Sequence, residues 1–135
     1  MAAKLRLKCP HCSEAFNTEP TVTYCPECKQ PISYTNTSCI YIYRQGSFYG
    51  VAGKLGIYLN GESYGYIGNA ELLCVPLPYG TYNIHSAIGV ARKCRDMEVT
   101  LTPENPIAYA KVYIKPGFLT NTFVVEPVDP KLLEF

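Results

Sequence analysis

Apolar and polar residues alternate in short runs along most of this chain, and Gly, Pro, Asn and Ser clusters separate the runs. Period-two alternation over four to eight residues marks a strand with one buried face. From Cys39 onward it predicts strands over Cys39–Arg44, Lys54–Leu59, Glu62–Ile67, Leu72–Leu77, Thr81–Ile88, Asp96–Thr102, Ile107–Lys115 and Leu119–Glu126. No stretch of ten or more residues carries the 3,4 spacing of an amphipathic helix. Asn60-Gly61 falls between two of these strands and predicts a type I′ hairpin, whose two central residues need positive φ. Pro78-Tyr79-Gly80, Pro103-Glu104-Asn105-Pro106 and Pro116-Gly117 supply further reversals. The fold expected is all-β, an antiparallel β-sandwich of about 7–8 strands.

The same alternation sorts faces. In Ile107–Lys115 it turns Ala108, Ala110, Val112 and Ile114 to the core and Tyr109, Lys111, Tyr113 and Lys115 outward. Met97, Val99 and Leu101 point inward against Glu98 and Thr100, and Ile57 and Leu59 against Tyr58. An outward aromatic stripe interleaved with cations is a candidate surface for stacking on a partner. Its alternative is cover by a second sheet or by the N-terminal segment.

That segment follows different rules. Lys4-Leu5-Arg6-Leu7-Lys8 alternates as a short strand and leads into Cys9-Pro10-His11-Cys12; Cys25-Pro26-Glu27-Cys28 repeats the motif. Ala15-Phe16 and Thr21–Tyr24 read as two short strands around a turn at Asn17–Pro20. Two Cys-x-x-Cys turns at this spacing deliver four thiolates to one tetrahedral ion, so Cys9, Cys12, Cys25 and Cys28 are the metal-ligand candidates and one structural Zn2+ is the expected cofactor. Four protein ligands leave no open position for chemistry. The division expected is a zinc ribbon over 1–33, a linker over 34–38, the sandwich over 39–128 and a tail over 129–135.

Composition narrows the classes. A formal net charge of +1 over 135 residues lacks the positive excess that drives nonspecific phosphate binding. Seven cysteines is an odd number, and once four take metal, Cys39, Cys74 and Cys94 cannot all pair within the chain, which fits a reducing, cytoplasmic setting. The N-terminus has no apolar export segment, and no run approaches the roughly 20 apolar residues that span a bilayer, so no membrane span is expected.

Two resemblances follow from these motifs. Residues 4–32, with all four cysteines in place, resemble a zinc ribbon. The run Ile57-Tyr58-Leu59-Asn60-Gly61-Glu62-Ser63-Tyr64-Gly65-Tyr66-Ile67, followed by Leu77-Pro78-Tyr79-Gly80-Thr81-Tyr82-Asn83-Ile84, resembles the PEGA and DUF2846 families across about residues 39–126. That likeness implies a small prealbumin-like or Ig-like sandwich with no catalytic residues to carry over. Many members of those families are envelope-associated, whereas no signal peptide or lipid-attachment cysteine is visible in this chain.

The remaining motifs offer weaker chemistry. Cys9-Pro10-His11-Cys12 matches the active-site tetrapeptide of DsbA-like thiol oxidoreductases, but no βαβ context surrounds it and a second matching pair follows. His85 is expected to face solvent, with no carboxylate partner assembled by local sequence. Cys39 and Cys74 read as buried thiols. Arg92-Lys93-Cys94-Arg95, in an expected loop after Gly89, is the densest basic run. The expectation is therefore a non-enzymatic binding module for protein or carbohydrate through Tyr109, Lys111, Tyr113 and Lys115. The alternative is a nucleic-acid-associated factor using the ribbon and the loop of Arg92, Lys93 and Arg95.

Overall fold

Half-buried strands need partners on both edges and a second apolar face to cover their own. The computed structural model satisfies both needs, and it describes residues 3–18, 24–32, 37–45, 54–87, 94–115 and 122–133. Among these, the strands are β1 (Lys4–Lys8), β2 (Ala15–Thr18), β3 (Cys39–Arg44), β4 (Leu55–Leu59), β5 (Glu62–Ile67), β6 (Leu72–Pro76), β7 (Gly80–Ala87), β8 (Cys94–Arg95), β9 (Met97–Leu101), β10 (Ile107–Lys115) and β11 (Thr122–Pro127), followed by a short 3-10 turn at Pro130–Leu133. They form a seven-stranded sheet, β2-β1-β6-β3-β10-β11-β8, and a four-stranded sheet, β5-β4-β7-β9. The fold is an all-β sandwich, as the alternation predicts.

The strands over Cys39–Arg44, Glu62–Ile67 and Ile107–Lys115 have the predicted bounds. Asn60 and Gly61 take φ of 52° and 80°, the positive pair that a type I′ turn requires. The Asn60 side chain does more than tolerate that turn. Its Oδ1 accepts from the Asn83 backbone N–H at 2.8 Å, and the Asn60 backbone N–H donates to the Asn83 carbonyl at 3.0 Å, which pins the hairpin tip to β7. The expected strand Thr21–Thr23, most of the 34–38 linker, Arg92 and Lys93, the Pro116-Gly117 reversal and the start of the last expected strand at Leu119 lie outside the described residues.

Inward faces from both sheets meet in one core. Ile40, Ile42, Ala110 and Val112 of the large sheet and Leu55, Ile57 and Ile84 of the small sheet are all fully buried, with Val99 and Leu101 beside them. Each such aliphatic side chain contributes about 1.5–3 kcal/mol on burial. Tyr109, Lys111 and Tyr113 stand on the opposite face of β10, in the predicted phase. The small sheet is wholly antiparallel, whereas the large sheet is mixed, with parallel pairs β1–β6, β3–β10 and β8–β11. Parallel neighbours cannot be joined by a tight turn, and the chain between β3 and β10 passes through every strand of the small sheet.

Two sequence expectations change here. Cys94 and Arg95, assigned to a loop, form the edge strand β8. The ribbon boundary near residue 33 does not mark a separate body: β1 pairs in parallel with β6, Lys4 against Leu73 and Leu5 against Cys74, and so enters the sandwich sheet. Arg6 makes the junction three-sided. It is 6% exposed, and its guanidinium donates from Nη1 to the Tyr64 carbonyl at 2.7 Å, from Nη2 to the Tyr66 carbonyl at 2.9 Å and from Nε to Asn17 Oδ1 at 2.5 Å. The first strand is thereby bolted to β5 of the other sheet. Gly65 leaves room for that guanidinium, since a Cβ there would lie 2.8 Å from Arg6 Nη1, and its φ of +82° belongs to glycine. Lys4 adds an ion pair to Glu71 at 2.8 Å, just ahead of β6.

Candidate metal centre

The two cysteine knuckles are built alike from backbone alone. In each, proline after the first cysteine presets the turn, as Pro10 and Pro26 do. The residue after the second cysteine then takes φ of 64°, in Ser13 and again in Lys29, and its N–H returns to the first cysteine's carbonyl at 2.9 Å. The N–H groups of Cys9 and Cys25 close the loops onto the carbonyls of Glu14 and Gln30 at 2.9 and 3.0 Å. An isolated bridge between Tyr24 and Pro31 completes the second knuckle.

Facing each other, the knuckles bring Cys9, Cys12, Cys25 and Cys28 together with every Sγ within 4.8 Å of the others. The Sγ atoms of Cys9 and Cys28, and of Cys12 and Cys25, are 3.6 Å apart. A disulfide requires about 2.05 Å. Thiolates at about 2.3 Å from a tetrahedral ion would be about 3.8 Å apart, so the spacing fits coordination rather than a bond between sulfurs. Cys9 and Cys25 are buried, and Cys12 and Cys28 face outward in part.

Burial opposes ionisation of Cys9, yet N–H groups of Cys12 and His11 donate to its sulfur, the latter at 3.3 Å, and with its thiol neighbours hold it down to about 6. The Glu14 N–H pulls Cys12 down, but burial and the thiol hydrogen bonds of the cluster push it up to about 12. Cys28 is raised by the same balance, with the Gln30 N–H pulling against burial and its thiol neighbours. One sulfur sheds its proton readily while its neighbours share theirs with it, an arrangement that a dication at the centre would replace. His11 is exposed, and its Nε2 lies 3.3 Å from the Pro31 carbonyl, bridging the knuckles instead of joining the ligands.

No family model matches the chain, and searches of the curated proteins and of the solved structures find no match. The site must therefore be understood from its own chemistry.

The other candidate residues occupy the large sheet. Tyr109, in register with Tyr41 on β3, stacks on it with ring centroids 5.3 Å apart and planes at 9°. Lys111 reaches Glu126 at 3.2 Å on β11 and lies 5.5 Å from the Tyr113 ring centroid. Lys115 is exposed at the end of β10. Arg95 is exposed on β8, the sheet edge opposite β2, so Arg95 and the ribbon strands are not brought together.

Two clusters escape sequence reasoning. Cys39 and Cys74 are half-buried on the outer face of the large sheet rather than in the core, and their thiols hydrogen-bond beside Tyr41. The bond from Cys39, against burial and with help from Tyr41, lowers Cys74 to about 7; the same pairing, with burial, pushes Cys39 far up. The register places Tyr41 opposite Cys74 and Cys39 opposite Pro76.

The second cluster corrects the view of His85 as solitary. Its Nδ1 lies 2.7 Å from Asp96 Oδ1, Asn83 Nδ2 donates to Asp96 Oδ2 at 3.0 Å, and the Cys94 thiol hydrogen-bonds to Asp96. Burial alone would raise Asp96, but bonds from Asn83, His85 and Cys94 hold it below the usual carboxylate range. Burial raises Cys94 to about 11 despite the Ser86 N–H at 3.4 Å from its sulfur. Pairing of Asn83 with Glu98 and Ile84 with Met97 sets Asp96 across from His85. Only a correct β7–β9 register, with β8 treated as a strand, could have found this from the chain.

Proposed function

We propose that this chain is a non-enzymatic interaction module in which one structural zinc, held by Cys9, Cys12, Cys25 and Cys28, fastens the ribbon, and the tyrosine face of the large sheet meets a protein partner. A set of four thiolates suits zinc, and its closed coordination gives a structural rather than a catalytic role. The observation that carries the binding reading is the Tyr41–Tyr109 stack beside Tyr113, on the face turned away from the sandwich core. Aromatic side chains fixed by stacking lose little entropy on association, which is why such residues anchor protein interfaces. A sugar platform wants a free ring face. Tyr109 already gives one face to Tyr41, and the Lys111 ammonium lies near the Tyr113 ring, so a protein partner is favoured over carbohydrate.

Nucleic acid is less well supported. The net charge is +1, and β2 and β8 occupy opposite edges of the seven-stranded sheet, six spacings of about 4.8 Å or roughly 29 Å apart. A single interface using both the ribbon and Arg95 would have to cross the whole sheet. The test compares capture of partners by metal-loaded wild type and by Tyr109→Ala plus Tyr113→Ala, with a glycan array and a salt titration against duplex DNA as separate arms. A protein retained by wild type and lost by the variant is the expected result. Equal capture by both, or binding confined to the glycan or DNA arm, would overturn the reading.

A further inference from the structure

We propose that His85, Cys94 and Asp96 form a second metal site, one that takes a divalent transition ion of the zinc class with three protein ligands and leaves one position to water or an added ligand. The donors are an imidazole nitrogen, a thiol sulfur and a carboxylate oxygen, all within 4.8 Å of one another. An ion bound tetrahedrally at about 2.0–2.3 Å asks for donors about 3.3–3.8 Å apart. The His85–Asp96 contact of 2.7 Å therefore has to open by about half an ångström, while the Cys94 sulfur lies within 4.8 Å of both other donors. Both side chains that must shift are about one-third exposed, at 34% and 36%, so they can move and an ion can reach them.

The donor set selects the ion. A thiolate does not suit magnesium or calcium, and a mixed sulfur, nitrogen and oxygen set suits zinc and its neighbours. The surroundings supply what orients metal ligands. Asn83 holds the second carboxylate oxygen and leaves Oδ1 to point at His85. The Ser86 N–H meets Cys94 Sγ at 3.4 Å, much as the His11 N–H meets Cys9 Sγ at 3.3 Å in the ribbon. The Tyr58 ring lies tilted against the imidazole at 5.7 Å and walls one side. On binding, the Cys94 thiol gives its proton to solvent and the sulfur becomes the charged ligand.

A Cys-His-Asp set also invites a nucleophile reading. That reading needs the imidazole to act as base on the thiol, but the described side chain to side chain hydrogen bonds of both Cys94 and His85 run to Asp96. The carboxylate is the hub of the cluster, as in a ligand set, and not the far end of a relay. Location adds a purpose. His85 belongs to the small sheet, Cys94 to the edge strand of the large one, and Asp96 is the single residue between β8 and β9 where the chain passes from one sheet to the other. An ion there would clamp the sandwich at the edge opposite the ribbon.

The test uses the full chain saturated with zinc, desalted and assayed for metal, beside His85→Gln plus Asp96→Asn. Two zinc ions per chain in wild type and one in the variant, with unchanged circular dichroism, is the expected result. One ion in wild type, lost with Cys12→Ser plus Cys28→Ser, would overturn this proposal and leave the ribbon reading standing. Two ions retained by the His85/Asp96 variant would also overturn it. A cobalt(II) titration of the wild type is independent of any variant's folding: the second equivalent must add a thiolate charge-transfer band weaker than that of the four-cysteine site, and a second equivalent without such a band refutes the site.

Discussion

Replacing Arg6 by Met isolates the bolt that holds the first strand against the opposite sheet. Each hydrogen bond from a charged donor contributes about 1.5–3 kcal/mol, and Arg6 makes bonds to Tyr64, Tyr66 and Asn17. Their sum overstates the loss, because Arg6→Met also removes the cost of burying a guanidinium, several kcal/mol by itself. What remains uncompensated is two carbonyls on β5 and the Asn17 amide oxygen, which gives a net loss of about 3 kcal/mol, or about 10 °C in Tm for a chain this size. Gly65→Ala perturbs the same junction from the other side. It forces a non-glycine residue to a φ of +82° and sets a methyl 2.8 Å from Arg6 Nη1, for a cost of about 2–3 kcal/mol. In the Arg6→Met background the methyl no longer meets a pinned guanidinium, so the double variant should be more stable than the sum of singles predicts by about 1 kcal/mol. Urea denaturation of the metal-loaded protein, followed by circular dichroism, measures all four corners of the cycle. A loss under about 0.5 kcal/mol for Arg6→Met, or additivity within about 0.3 kcal/mol, would show that the ribbon strand rests on β6 alone.

Chelation should release the knuckles from Cys9 to Ile32 while β3 to β11 keep slow amide exchange, with β1 intermediate because β6 and Arg6 still hold it; simultaneous loss of protection across the sandwich would show that the metal supports the whole core. Burial raises the Glu71 carboxyl, but the Lys4 ammonium at 2.8 Å and the Gly68 N–H bring it below its ordinary value. A folded pKa below the unfolded one stabilises the protein above the unfolded value and is lost as pH falls through the folded value. Glu71→Gln should therefore lower stability near neutral pH and leave it unchanged in acid, and a loss that persists in acid would refute the pairing. Iodoacetamide should modify Cys74 before Cys39, with a rate that rises through pH of about 7, and Cys39→Ala should move that inflection upward; equal rates at the two thiols would remove the hydrogen bond from the account.

Much of the sandwich is legible because its strands lie half in the core and half in solvent. Ile107–Lys115 and Glu62–Ile67 carry that division in their side chains, and Asn60-Gly61 carries its turn in its backbone preferences. The clustering of Cys9, Cys12, Cys25 and Cys28 is equally plain, since a knuckle is a local object. Contacts fixed by register between distant segments are not legible. Nothing near Leu5 names Cys74 as its parallel partner, and a charged residue between two leucines reads as solvent-facing until the opposite sheet offers Arg6 a pair of carbonyls. His85 and Asp96 meet for the same reason, through the pairing of β7 with β9. Cys94 reads as part of a basic loop because two residues are too few to show a period.

The pairing of β1 with β6 also bears on how the protein avoids sticking to copies of itself. β6 reads Leu-Leu-Cys-Val-Pro, and without β1 its outer edge would present unpaired backbone groups flanked by Leu72, Leu73 and Val75. A bare apolar edge of that kind invites another strand to add to it. The ribbon's short hairpin takes that place first, and its own outermost strand, Ala15-Phe16-Asn17-Thr18, is shorter and more polar. The first strand therefore guards colloidal behaviour as well as shape, and a chain whose β1 was unseated would fail by joining its neighbours before it fails by melting.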